Sequence, residues 1–223
     1  MADKQILFSA PMVRALLDGR KTQTRRVINA PSAHDAIAVF GADFLTLRGN
    51  FGLLPIRAHR GDRLWVREAW RSMDGMDGSN ATEIAANCIE AGYRRPWAPL
   101  HYEADGARVD WIAEPRGFGT KAGRYRHARF MPRWASRLTL IVTDVRVQRL
   151  QDISGEDSAA EGVCEFAMLP PTDTDAADAR IVFRDLWNRL HGPEAWDANP
   201  WVAAYSFRVI RANIDSEAVG YAL

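Results

Sequence analysis

The segment GRKTQTRR, residues 19–26, holds four cations and two hydroxyls in eight residues and contains no acid. Lys21 and Thr24 are three residues apart, so a bend in the chain would bring the amine within hydrogen-bond reach of the hydroxyl. A threonine hydroxyl is a weak nucleophile until a base beside it takes its proton. A lysine can be that base when burial and neighbouring cations lower its pKa. The spacing is compatible with nucleophilic catalysis, and also with a solvated turn or with phosphate contact.

A second basic segment, RFMPRWASR, combines arginines with an aromatic ring. Arg133 lies directly before Trp134, and Arg129 and Arg137 continue the same four-residue spacing. A ring among arginines suits base stacking together with phosphate contact in single-stranded nucleic acid. It equally suits a tryptophan packed into the core beneath the arginine stems. Both interpretations of Arg133 and Trp134 stay open at the level of sequence.

The elements on either side indicate how the first segment is positioned. The pattern of residues 4–8 predicts a short strand, and Ser9 is a suitable N-cap for the helix that follows. Gly19 suits the left-handed position that ends a helix, so the basic segment begins where the helix stops. A strand is expected from Thr22 onward. Cations near a helix C-terminus are mildly stabilising, which is the structural alternative to a functional site.

The C-terminal half has the clearest periodicity. Alternation in RLTLIVTDVRVQRL predicts the longest strand, and ISGEDSAAEGV after it predicts a short acidic helix capped by Ser154. The helical spacing of Phe183 and Trp187 predicts a later helix, and YSFRVI predicts a closing strand. Residues 72–128 lack a regular pattern and are predicted to be a loop-rich insertion in one domain that spans residues 1–223. The chain is therefore predicted to be an α+β protein.

The composition excludes several classes of protein. With 29 basic and 28 acidic residues, a general polyanion-binding protein is not expected, and any nucleic-acid contact must come from a local patch. The two cysteines lack a CxxC partner, so neither a disulfide framework nor a metal site is indicated, and no cofactor is expected. The signatures GxSxG, HExxH, GxGxxG and the P-loop are absent. No signal peptide or membrane-spanning run is present, so a cytoplasmic protein without a membrane partner is expected.

Three segments together resemble a known family. GRKTQTRR at the end of the first helix, GDRLWVRE at the start of a strand, and the C-terminal YSFRVI resemble the ASCH domain, a relative of the PUA domain. The resemblance implies a small mixed β-barrel with flanking helices and an association with RNA or modified nucleosides. The long form of the chain is similar to ASCH-type proteins carried by phages and prophages. The region 72–128 would then be a large insertion outside the minimal family.

One ASCH branch is a small bacterial amidohydrolase that removes the acetyl group from N(4)-acetylcytidine. Its catalytic residues are the lysine and threonine of a GRKTxT motif and a glutamate on the helix after the central strand. By this resemblance Lys21 is the base, Thr24 the nucleophile and Glu161 the proton donor. Glu156 and Asp157 are neighbouring alternatives to Glu161, because alignment of a short helix is loose.

The resemblance also implies how a substrate would be held. The arginines of the basic segment, Arg20, Arg25 and Arg26, are expected at the mouth of the pocket, where some of them hold phosphate or ribose. The expected function is hydrolysis of an acylated nucleoside, without a metal or cofactor. The alternative is a non-catalytic RNA- or DNA-binding module or phage accessory protein that acts through Arg25, Arg133 and Trp134. A ribonuclease is less expected, because no histidine pair supports acid–base cleavage of RNA.

Overall fold

The computed structural model describes residues 2–28, 56–106, 121–163 and 176–220. The strands are β1 (Asp3–Leu7), β2 (Gln23–Val27), β3 (Arg63–Arg67), β4 (Trp70–Arg71), β5 (His101–Tyr102), β6 (Thr139–Arg149) and β7 (Trp201–Ile210). The helices are α1 (Ala10–Leu17), α2 (Ala81–Glu90), α3 (Gly155–Ala160), α4 (Ala176–His191) and α5 (Glu217–Gly220). Helices and strands follow one another in a mixed order along the chain, and the prediction of an α+β protein is confirmed.

The strands form a five-stranded sheet in the order β1-β3-β6-β7-β2 and a separate two-stranded ribbon of β4 and β5. Strand β2 pairs antiparallel with β7, which places Thr24 opposite Tyr205 and Gln23 opposite Ser206. A barrel closes only when its two edge strands pair with each other. In the described part of the chain β1 and β2 are opposite edges with three strands between them. The described strands therefore form an open sheet, and the expected closed barrel is not seen.

The local signals around the basic segment are confirmed. Gly19 has a φ of 75° and its N–H donates to the Leu16 carbonyl at 3.2 Å, so this left-handed residue closes α1 as predicted. The side chain of Ser154 accepts a hydrogen bond from the Asp157 N–H at 3.1 Å and caps α3 as predicted. The alternating segment after residue 138 forms β6, which at 11 residues is the longest strand among those described.

The described residues divide into two compact units. The first comprises Met1–Ala2, Ala15–Arg63 and Ile141–Val209, and it includes β2, α3, α4 and nearly all of β7. The second comprises Asp3–Arg14, Leu64–Leu140 and Ile210–Leu223, and it includes β1, the β4–β5 ribbon and α2. The basic segment lies wholly in the first unit, and the region 72–128 lies wholly in the second.

Part of the predicted insertion is regular structure that sequence reasoning missed. Helix α2 begins at a capping box, in which the Asn80 side chain accepts from the N–H of Glu83 at 3.0 Å and the Glu83 carboxylate accepts from the N–H of Asn80 at 2.8 Å. Ile84 and Cys88 form its buried face, and Ile84 packs in a cluster with Trp70. The sequence NATE carried this signal. Residues 107–120 of the region lie outside the described part.

Candidate active site

Backbone contacts fasten Lys21 between two helices. Its N–H donates to the Ala15 carbonyl in α1 at 3.0 Å, and the next residue, Thr22, donates to the Ala160 carbonyl at the end of α3 at 2.9 Å. Lys21 and Glu161 also form a single antiparallel bridge. These contacts bring the basic segment against the acidic helix, although the two are far apart in sequence.

A glycine permits this close approach. Gly162 has a φ of 76°, a left-handed conformation that side-chain-bearing residues adopt only with strain. A Cβ built at this position would lie 2.9 Å from the Cβ atoms of both Ala15 and Lys21, closer than unbonded carbons tolerate. The residue after Glu161 must therefore be small and left-handed for α1, α3 and the basic segment to meet.

Glu161 is held by two cations from the basic segment. The Lys21 Nζ donates to its Oε2 at 2.7 Å and to its carbonyl oxygen at 2.8 Å, while Nη1 of Arg25 donates to Oε1 at 3.0 Å. The Lys21 and Arg25 side chains are fully buried and that of Glu161 is 6% exposed. Burial of charged groups has a large desolvation cost unless their geometry and partners compensate for it. Each carboxylate oxygen here has its own cationic donor.

Burial lowers the pKa of the Lys21 amine. The Glu161 carboxylate opposes this shift by favouring the charged amine, and the positive charges of Arg26 and Arg25 add to the lowering. A lysine with a lowered pKa has a larger neutral fraction, and only the neutral amine can accept a proton. The environment of Lys21 thus shifts its pKa in the direction that a catalytic base requires.

Asp157, one of the two alternatives to Glu161, has a different set of hydrogen-bond donors, of which it shares Arg25 with Glu161. It accepts hydrogen bonds from Nη2 of Arg25 at 2.9 Å, from Nη2 of Arg146 at 2.8 and 2.9 Å, and from Nε2 of Gln23 at 3.2 Å. Partial burial alone would raise the pKa of Asp157, but the hydrogen bond from Arg146 and the two guanidinium charges lower it overall. A carboxylate stabilised in its ionised form is a poor proton donor.

Glu156, the other alternative, is exposed at the solvent side of α3. Of the three neighbouring acids it is Glu161 whose side chain contacts Lys21. The structure therefore brings together two of the three residues that the resemblance implied. Their role in catalysis remains a prediction.

Thr24 has a different environment from Lys21. Side chains alternate along a strand, so Thr24 and Arg26 lie on one face of β2, and Gln23 and Arg25 on the other. The Thr24 hydroxyl is buried, and its oxygen accepts a hydrogen bond from Nη1 of Arg26 at 2.7 Å. Between the described residues no hydrogen bond joins Thr24 to Lys21. The cation nearest the predicted nucleophile is therefore Arg26.

A cavity of about 530 Å³ lies in the first unit beside Arg26. Among the described residues, its polar lining consists of Arg26, Arg57, His191 and Tyr205. Burial lowers the pKa of Arg26; Glu161 and Tyr205 oppose the shift, and the charge of Arg57 adds to it. Tyr205 pairs across the sheet with Thr24, and cross-strand partners share a face. The cavity is thus on the face of β2 that carries the predicted nucleophile.

The other predicted binding residues are engaged in internal contacts. Arg20 forms an ion pair with Asp18 at 2.7 Å, and Arg25 is buried against Glu161 and Asp157 as described above. Of the three arginines in the basic segment, Arg26 is the one that lines the cavity.

The arginine–tryptophan segment of the second unit is also committed to the fold. Arg133 forms ion pairs with Asp3 at 2.6 Å and with Asp215 at 2.5 Å. Trp134 is partly buried and packs edge-on against Trp70, with ring centroids 6.5 Å apart. These contacts favour the packing interpretation of the segment over base stacking.

Sequence reasoning missed several members of the site. Gln23 lies within the basic segment and donates to Asp157, and Arg146 and Arg57 reach Asp157 and the cavity from distant parts of the chain. No spacing rule connects them to the motif. Neither arginine carries a signature of its own.

Comparison of the chain with protein-family models, with curated proteins and with solved structures found no match. Within the described ranges, no group of three or more histidine, cysteine, aspartate or glutamate side chains could hold a metal ion. Over the same ranges, none of the helices combines the length and the apolar character that crossing a bilayer requires.

Proposed function

We propose that the chain is an ASCH-type, PUA-like protein that hydrolyses the amide of an acylated nucleoside such as N(4)-acetylcytidine. The observation that carries the proposal is the contact between Lys21 Nζ and Glu161 Oε2 at 2.7 Å. It joins the two residues to which the resemblance gives the roles of base and proton donor, Lys21 through the GRKT motif and Glu161 through the acidic helix, and both are buried. The α+β class of the fold and the position of the motif at the end of α1 also support the family assignment.

The contact supplies the two protonation states that such a reaction needs. Transfer of one proton along the hydrogen bond converts the ion pair of Lys21 and Glu161 into a neutral amine and a carboxylic acid. Burial favours the neutral pair because charged groups lose more hydration than neutral ones. Arg25 opposes the transfer by binding the carboxylate. The balance between these two effects sets how much of the reactive form is present.

In the first half of the reaction the neutral Lys21 amine takes the proton of Thr24, whose oxygen attacks the carbonyl carbon of the amide. The hydrogen bond from Arg26 to the Thr24 oxygen stabilises the negative charge that develops there. The C–N bond then breaks, and Glu161 gives its proton to the departing nitrogen. Water attacks the resulting ester, releases the carboxylic acid and restores the Thr24 hydroxyl.

The free structure sets one condition on this mechanism. The described structure shows no hydrogen bond between Thr24 and Lys21. The proton must therefore pass through one bridging water, or a side chain must rotate when the substrate binds so that the two groups meet. Catalytic hydrogen bonds are often long or absent before the substrate arrives, so this requirement is ordinary for an acid–base site.

The proposal is tested by release of the free nucleoside from a panel of acylated nucleosides. Thr24→Val should reduce turnover by roughly a hundredfold or more, the scale expected for loss of such a group. Thr22→Val is the matched control, because Thr22 is an exposed threonine of the same motif and should keep wild-type turnover. The proposal fails if the wild type cleaves no member of the panel, or if Thr24→Val retains full activity.

A second candidate function is binding of single-stranded nucleic acid, and an observation in the second unit favours it. Among the described residues of that unit, four aromatic side chains are more than half exposed: Tyr93 at 55%, Trp97 at 57%, Tyr125 at 52% and Phe130 at 60%. All four have arginine neighbours. Exposed rings beside cations suit base stacking combined with phosphate contact.

These rings have defined contacts with each other or with an arginine. Tyr93 and Trp97 stack with centroids 6.3 Å apart and line a cavity of about 410 Å³ with Arg94 and Arg95. The guanidinium of Arg129 lies 5.0 Å from the centroid of the Phe130 ring. Binding through these rings would use different residues from those that the sequence suggested, because Arg133 and Trp134 are held in internal contacts.

A further inference from the structure

Two guanidinium groups line the cavity beside Arg26. They belong to Arg26 and Arg57, the imidazole of His191 lies with them, and none of the lining residues in the described part of the chain is a carboxylate. Arg57 and His191 are exposed, so the cavity is reached from solvent. A cavity open to water whose described lining offers several nitrogen donors is suited to an anion.

Two of these groups have donors that the described protein does not use. Neither the guanidinium of Arg57 nor the imidazole of His191 has a hydrogen bond or an ion pair with any described residue, although His191 stacks on Trp187 at 4.2 Å between ring centroids. The guanidinium presents a planar fork of donors that matches the oxygens of a phosphate group. These two side chains are therefore available to a ligand.

Tyr205 adds an oriented group to the same wall. Its hydroxyl oxygen accepts a hydrogen bond from the Arg57 N–H at 3.0 Å and another from the backbone of Ala58. With both of these bonds directed to the oxygen, the O–H remains as a donor. Tyr205 is the residue that pairs with Thr24 across the sheet, so its hydrogen bond also fixes the Arg57 backbone relative to Thr24.

We propose that this cavity binds the phosphate of the substrate, so that the substrate is a mononucleotide bearing a phosphate monoester and not a free nucleoside. Arg57, His191 and the Tyr205 hydroxyl hold the phosphate, and Arg26 forms the wall between the phosphate and Thr24. The volume of about 530 Å³ lies within the range of roughly 300–1,000 Å³ found for small-molecule sites. A single nucleotide fits this space, whereas a strand would have to continue beyond it.

The inference rests on the proposed function for the identity of the nucleobase and its acyl group. The phosphate site rests on the cavity alone. Arg26 connects the two sites directly, because its Nη1 donates to the Thr24 oxygen while its side chain lines the cavity. A phosphate in the cavity would therefore fix the position of the guanidinium that contacts the nucleophile. The acylated base would lie toward Thr24 and the phosphate toward solvent.

The test is calorimetric binding of three probes without an acyl group: cytidine, cytidine 5′-monophosphate and inorganic phosphate. Cytidine 5′-monophosphate should bind roughly tenfold or more tightly than cytidine, since charge-assisted hydrogen bonds are worth more than neutral ones. Arg57→Gln should reduce its affinity to that of cytidine. Arg60→Gln is the matched control, because Arg60 is an exposed arginine three positions away that does not line the cavity.

Equal affinity for cytidine and its monophosphate, or an unchanged affinity in Arg57→Gln, would overturn the inference. So would inorganic phosphate that binds as tightly as the monophosphate, because the cavity would then recognise an anion without a nucleoside. These outcomes are separable from failure of the proposed function. Hydrolysis of acylated cytidine without a preference for its phosphate refutes the phosphate site alone, and selective monophosphate binding without hydrolysis refutes the proposed catalysis alone.

Discussion

The Nζ of Lys21 lies 2.7 Å from Oε2 of Glu161, and neither side chain is more than 6% exposed. A base and an acid that share one hydrogen bond exchange protons as a pair, so the pH dependence of activity would report the pair and not either residue alone. The active form of this pair holds a single proton. In the proposed reaction the contact therefore also sets how activity depends on pH.

The dependence of kcat/KM on pH should be bell-shaped. At low pH the pair binds a second proton and Lys21 can no longer accept one from Thr24. At high pH the pair loses its last proton and cannot protonate the departing amine. Because burial lowers the pKa of Lys21, the alkaline limb should fall below the ordinary lysine value of about 10.4. A rate that stays level up to that value would contradict the assignment of Lys21.

Gly162→Ala should destabilise the protein more than an ordinary left-handed glycine replacement. The added methyl would lie 2.9 Å from Cβ atoms of Ala15 and Lys21, and relief of such overpacking costs about 1–3 kcal/mol. Gly61→Ala is the control, because its φ of 88° imposes similar backbone strain but no atom lies within 4 Å of the new carbon. The measurement is the free energy of unfolding in urea. Equal losses in the two variants would show that the close approach at Gly162 is not limiting.

If the second unit binds single strands, affinity for a short oligouridine should fall steeply as salt rises, because counterions are released from the phosphates. Phe130→Ala and Trp97→Ala should each weaken binding by about tenfold or more, the scale of a lost base–ring stack. Leu190→Ala provides the comparison, since Leu190 is 53% exposed but belongs to the first unit and is not aromatic. Binding that is absent, insensitive to salt or equally weakened by all three variants would rule out the surface.

The sequence predicted the local structure around the site well, because its signals are short-range. The left-handed Gly19, the Ser154 cap and the alternation of β6 each depend on a few adjacent residues. Helix α2 was missed even though its capping box is equally local, because the glycine-rich stretch before it favoured a loop.

Tertiary relationships were harder to predict. Lys21 and Glu161 are 140 residues apart, and only the family resemblance paired them. The spacing rule suggested instead that Lys21 and Thr24 would meet, but strand alternation places Thr24 with Arg26. The cavity residues Arg57 and His191 carry no motif, and the order of strands in the open sheet depends on pairings that no single segment encodes.

The most direct measurement compares two carboxamide variants of the same helix segment, Glu161→Gln and Glu156→Gln, in the hydrolysis of N(4)-acetylcytidine and its 5′-monophosphate. Circular dichroism and urea unfolding establish that both variants are folded. Glu161→Gln should lose roughly a hundredfold or more in turnover, because the amide cannot donate the proton that the departing amine requires, while the exposed Glu156→Gln keeps the wild-type rate. A folded Glu161→Gln variant with wild-type turnover, or an equal loss in both variants, would contradict the account.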